Sequence, residues 1–100
     1  MAEVVWTEPA VVDLNSIAEY IAVHDQKAAQ ELVTRVLKHV SQLAVHPESG
    51  GRPQELGSKS RYRHLVEPPC RIFYRYDGET VMIAHVMRAE RLLRIRQLSR

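Results

Sequence analysis

In 100 residues the chain has one cysteine, one tryptophan and one phenylalanine. A lone Cys70 excludes an internal disulfide, and its place inside an alternating strand pattern fits a buried thiol of a reducing compartment. No apolar run approaches the roughly 18 residues that a membrane span needs. The opening MAEVVWTEPAVVDL carries acids where a secretion signal needs Lys or Arg, so neither export nor a membrane partner is expected and a cytoplasmic location is. The five histidines form no H-x-x-x-H pair and the cysteine adds no ligand cluster, so no metal or other cofactor is expected. Lysine is scarce as well: Lys27, Lys38 and Lys59 are scattered along the chain.

What is present is arginine, and it is unevenly placed. The formal net charge is only +2. Residues 1–50 are net acidic, whereas residues 51–100 hold ten arginines and Lys59 against five acids. The planar guanidinium fork suits bidentate contact with phosphate or carboxylate, so the second half is suited to an anionic partner. A hydrophobic fraction of 45% is that of a folded protein, and the length fits one domain spanning residues 1–100. The core of so short a chain is modest, which favours stabilisation by a partner.

The elements follow from periodicity. Val4-Val5-Trp6 reads as a first strand, and Thr7-Glu8-Pro9 has the capping residue, acid and proline that open a helix. Val11, Leu14, Ala18 and Ile21 then give an apolar face through about Val23, with Tyr20 packing beside it. Asp25 caps a second helix whose apolar residues run from Ala29 to Ala44, ended by Pro47. The segment 47–60, PESGGRPQELGSKS, lacks a period and reads as a loop. Three strands follow: Arg61–Val66, Cys70–Tyr76 and Glu79–Met87, the last two joined by an Asp77-Gly78 hairpin signal. The order β-α-α-β-β-β predicts an α+β fold, a helical hairpin on a small, mostly antiparallel sheet, with a basic C-terminal segment 88–100. That segment reads as a short helix or a tail that orders on binding.

Strand parity assigns faces. Ile72 and Tyr74 point to the helices, and Arg71 and Arg75 to the open side. Tyr62 and Tyr76 are expected at the surface. His85 falls in phase with Val81 and Ile83, the apolar row, where a packed and hydrogen-bonded histidine is expected. Arginine, tyrosine and histidine on one sheet fit two purposes, a nuclease site or a surface that grips an anion.

The opening WTEPAVVDLNSIAEYIA (6–22), the close of the second helix at Leu43–Pro47, the Gly51-Arg52-Pro53 loop, the Pro68–Arg75 strand and the final strand with its histidine together resemble the RelE/ParE toxin superfamily. The resemblance covers about residues 4–91 and implies a toxin of a type II toxin–antitoxin pair, with a cognate ParD-like antitoxin as partner. It also implies one of two activities. RelE-like members cleave messenger RNA on the ribosome and need cations together with a Tyr or His near the C-terminus to move a proton. ParE-like members keep the fold and block DNA gyrase.

Arg71 matches the central-strand arginine of this superfamily and Arg88 the arginine after the last strand. Residues 89–100, AERLLRIRQLSR, contain neither Tyr nor His. Arginine does not substitute, since it stays protonated at any working pH. The expectation is therefore a ParE-like gyrase inhibitor without a catalytic site of its own. Arg71, Arg75, Arg88, Arg91, Arg94 and Arg96 would meet gyrase, with indirect contact to its DNA. The alternative is a ribosome-dependent RNase using His64, Arg71, His85 and Arg88. A disordered acidic antitoxin tail that folds onto a groove or sheet edge would mask the arginines.

Overall fold

Thr7 sets the geometry of the first half. Its Oγ1 accepts from the Ala10 N–H at 3.4 Å, capping a helix, and donates to the Ile83 carbonyl at 2.7 Å, tying that helix start to the last strand. The structure, a computed structural model, describes residues 1–88. Its elements are β1 (Glu3–Trp6), α1 (Glu8–Ala22), α2 (Gln26–Ser41), β2 (Tyr62–Glu67), β3 (Cys70–Tyr76) and β4 (Thr80–Arg88), with 3-10 turns at Gln42–Ala44 and Gln54–Leu56. The sheet order is β1-β4-β3-β2, with β1 parallel to β4 and the other pairs antiparallel. This is the α+β architecture that the element order predicts.

The helical hairpin forms where the caps place it. Asp25 Oδ1 accepts from the Ala28 N–H at 3.0 Å and starts α2. The buried stripe of α2 is Ala29, Leu32, Val36 and Val40, continued by Leu43 in the following 3-10 turn, while Leu37 stays half exposed. Helix α2 thus ends at Ser41, ahead of Pro47, and the tighter turn carries Leu43 into the core. On α1 the stripe is Ala10, Leu14, Ile17 and Ile21. Two readings along this helix need correction. Val11 is 42% exposed, because the buried stripe runs through Ala10 instead. Tyr20 is 63% exposed and does not pack on the core; the Arg88 guanidinium lies 5.1 Å from its ring centroid.

Both helices lie on one sheet face, against Leu65, Ile72, Tyr74, Val81, Ile83 and Val86. Truncating Leu32 or Ile72, both essentially fully buried, to Ala would cost about 2–5 kcal/mol. Midway along β4 the pairing with β3 slips: Phe73 lies opposite His85, and Tyr74 opposite Ile83. The extra residue, Ala84, shifts the phase, so the apolar row passes from Ile83 to Val86. The expected alignment of His85 with Val81 and Ile83 is thereby overturned.

The segment 47–60 is aperiodic as expected, yet firmly fastened. The Tyr74 hydroxyl accepts from the Gly50 N–H at 2.9 Å, and Gly51 and His64 exchange backbone hydrogen bonds of 2.8 and 3.1 Å. Arg63 Nη1 donates to the Glu48 and Gly50 carbonyls at 3.2 and 2.9 Å. Gly50 is required here by close approach, since a Cβ would stand 2.6 Å from the Tyr74 hydroxyl and 2.8 Å from the His64 carbonyl oxygen. The loop thus covers part of the β2 edge and part of the sheet face away from the helices.

Candidate functional site: the arginine face of the sheet

The outer face carries Tyr62, His64, Arg71, Phe73 and Arg75, as alternation on β2 and β3 dictates. Parity placed Arg71 and Arg75 on that face correctly, but only Arg75 stands open. Arg71 is 8% exposed. Its Nη1 and Nη2 donate to the two Glu55 carboxylate oxygens at 2.7 and 2.8 Å, a bidentate pair. The same guanidinium stacks over Phe73, 4.7 Å from the ring centroid. Glu55 comes from the 3-10 turn Gln54–Leu56, so the fastened loop supplies the cover that strand parity does not reveal.

His64 completes this cluster. Its Nδ1 receives Arg71 Nε at 3.3 Å and Nη2 at 3.1 Å. Because a guanidinium has no acceptor, Nδ1 carries the lone pair and, in the neutral ring, Nε2 carries the proton. Burial, then the adjacent Arg71 charge, lowers the His64 pKa from its ordinary value, against the opposing pull of Glu55. His64 is therefore held neutral, with its lone pair committed to Arg71.

His85 has the opposite arrangement. Asp13 of α1 lies 3.1 Å from His85 Nδ1, and the same carboxylate oxygen accepts from the Val86 N–H at 3.0 Å. The carboxylate orients the ring as an N–H donor at Nδ1, which leaves Nε2 as the basic position when the ring is neutral. His64 and His85 sit on the strands flanking Phe73, so their Cα atoms are about 10 Å apart, two strand spacings. Phe73 stands between them on the central strand. Among the described residues, no group of three His, Cys, Asp or Glu side chains is placed to hold a metal.

At the hairpin end the surface is different. Arg75 is exposed and shares an open trough of about 810 Å³ with Arg52, Lys59, Arg61 and Arg63. Arg88, at the end of β4, is half-buried beside Tyr20. Arg91, Arg94 and Arg96 lie outside the described residues. The structure thus gathers Arg71 with His64, and separates that pair from Arg75. Sequence reasoning missed Glu55 and Asp13, since a carboxylate in a loop and one on a helix give no local sign of a distant partner. It also missed the loop cations, although four basic residues between Arg52 and Arg63 were a visible signal.

A family model described as the ParE toxin of the type II toxin–antitoxin system parDE matches residues 4–93. The chain belongs to the ParE toxin family. Toxin RelE2 of Caulobacter vibrioides is 35% identical over 92 residues, which are 92% of this chain and the whole of that protein. A solved structure of a chromosomal ParDE toxin–antitoxin system from P. aeruginosa matches with a TM-score of 0.75 and 26% identity, over 90% of this chain and 98% of the other. The chain is accordingly a toxin of the RelE/ParE superfamily, of the type II toxin–antitoxin class.

Proposed function

We propose that this ParE-family toxin acts by binding DNA gyrase through its arginine-rich surface, without chemistry of its own. The observation that carries the reading is the state of the outer-face histidine. His64 has its lone pair bound to Arg71, and Arg71 is itself clamped by Glu55. A phosphodiester cleavage site needs a cation free to meet the phosphate and a base free to take a proton; this cluster has spent both on internal contacts. The exposed cations near Arg75, with Arg88 and the C-terminal arginines Arg91, Arg94 and Arg96, are the contact surface in this reading. Such a surface speeds encounter with an anionic target and makes binding salt-sensitive.

Neutralisation by a ParD-like antitoxin follows the same electrostatics. An acidic segment that orders on binding covers the exposed arginines, and the site of masking is Arg75, since Glu55 already occupies Arg71. The decisive test is a supercoiling assay with purified gyrase and purified toxin. Inhibition that is relieved by the antitoxin is expected; full supercoiling at toxin excess contradicts the reading.

One observation favours a second reading. Asp13 orients His85 as a carboxylate orients a general base, and the relative in Caulobacter vibrioides carries a RelE name. A ribosome-dependent RNase would use His85 with Arg88, and would need Arg71 and His64 released from Glu55 and from each other. Primer extension on translated messages separates the two readings, since only the RNase leaves cuts.

A further inference from the structure

The trough at the hairpin end lies apart from the Arg71 cluster, and Arg71, His64 and Glu55 do not line it. We infer that it is a binding site for the sugar-phosphate backbone of a nucleic acid. Five cations line it among the described residues: Arg52 and Lys59 from the loop, Arg61 just before β2, Arg63 in β2, and Arg75 from β3. Two carboxylates, Glu48 and Asp77, oppose them. Both acids are occupied by their own chain. Glu48 Oε2 lies 3.4 Å from Arg63, and Asp77 Oδ1 accepts from the Glu79 and Thr80 N–H groups at 2.9 and 2.7 Å. Those backbone donors hold the Asp77 carboxyl below its ordinary range, so it stays ionised while the trough keeps a net charge of about +3.

The cations differ in how far they are committed. Arg63 is bound to the loop, and Arg52 donates to the Ser60 carbonyl at 2.8 Å. Lys59, Arg61 and Arg75 are exposed and make no hydrogen bond or ion pair among the described residues. Three exposed cations at the hairpin end of the sheet, backed by two guanidinium groups held by their own chain, match what a phosphate backbone requires. A free acidic peptide fits less well, because peptide docking relies on buried apolar anchors and Met82 is the one aliphatic side chain lining the trough among the described residues; the masking segment proposed for the antitoxin would cover Arg75 while anchored elsewhere. The inference rests on the proposed function and deepens it: the trough is part of the contact surface proposed there, and the nucleic acid held by the target is what it would meet.

The test is fluorescence anisotropy of labelled duplex DNA and labelled single-stranded RNA with the purified full chain, between 50 and 200 mM salt. With three phosphate contacts to duplex DNA, affinity falls about 40-fold over that range. The double variant Arg61→Gln with Arg75→Gln is expected to flatten the slope of log Kd against log salt by roughly 1.8 on duplex or 1.4 on a single strand. The variant Arg61→Lys with Arg75→Lys restores it, which separates charge from any folding defect. Failure of both probes to bind at 50 mM salt overturns the inference. So does binding whose slope the Gln variant leaves unchanged, or a polyglutamate probe that binds where neither nucleic acid does. Unimpaired gyrase supercoiling alongside charge-dependent nucleic-acid binding would reject the target of the proposed function and leave the trough assignment standing.

Discussion

Arg71 and Arg75 lie one helical-turn's worth of sequence apart on one strand and on the same face, yet they meet opposite surroundings. At the Arg71 end a fastened loop delivers Glu55, and the guanidinium is buried, doubly paired and stacked on Phe73. At the Arg75 end the sheet opens onto a trough, and the guanidinium is exposed. The lesson is that strand alternation selects a face but not its cover. An arginine under a loop carboxylate is a structural strut; an exposed arginine beside other cations is the one that the proposed reading assigns to a partner.

That contrast can be broken most severely at Gly50. In Gly50→Ala the new methyl group collides with the Tyr74 hydroxyl and the His64 carbonyl, so the loop must lift from the sheet. A loss of about 3 kcal/mol in urea denaturation is expected, the upper part of the range for overpacking. A smaller effect is expected from Glu55→Gln, which removes the charge but keeps the shape of the clamp on Arg71. The cost is about 2 kcal/mol, that of a charge-assisted hydrogen bond, again read from the urea midpoint.

Acid sharpens the comparison more gently. The His64 pKa is lowered by folding, so the unfolded chain binds the extra proton first. The contribution is fully present above the ordinary histidine value of about 6.5 and declines as pH falls through that value toward the folded one. His64→Gln should flatten the stability profile across this acid window, as followed by thermal melting at a series of pH values. The smallest effect belongs to the open end: Arg61→Gln with Arg75→Gln should change stability by less than about 0.5 kcal/mol, because both are surface side chains with no structural partner among the described residues. A large loss there would erase the distinction between the two ends.

The fold was largely readable from the chain because its signals are local. Thr7 and Asp25 mark the helix starts, Asp77-Gly78 marks the hairpin, and the alternation of Ile72 and Tyr74 with Arg71 and Arg75 orients β3. The site was less legible because its determinants are long-range. Glu55 reaches Arg71 across 16 positions and Asp13 reaches His85 across 72. A single unpaired residue in the middle of β4, Ala84, turns His85 out of the apolar row, and nothing in IAHV announces it. Tyr20 was misplaced for a related reason, since amphipathic spacing does not show that Arg88 waits beside the exposed ring.

The central claim is that the cations of this toxin hold a partner and that no side chain beside them shuttles a proton. Its most direct test is to add the purified protein to a translating ribosome system and map message ends by primer extension. Intact messages, with His85→Ala behaving as the parent protein, are the predicted result. Codon-specific cuts that vanish in His85→Ala would contradict it and make the Asp13-oriented imidazole the working base.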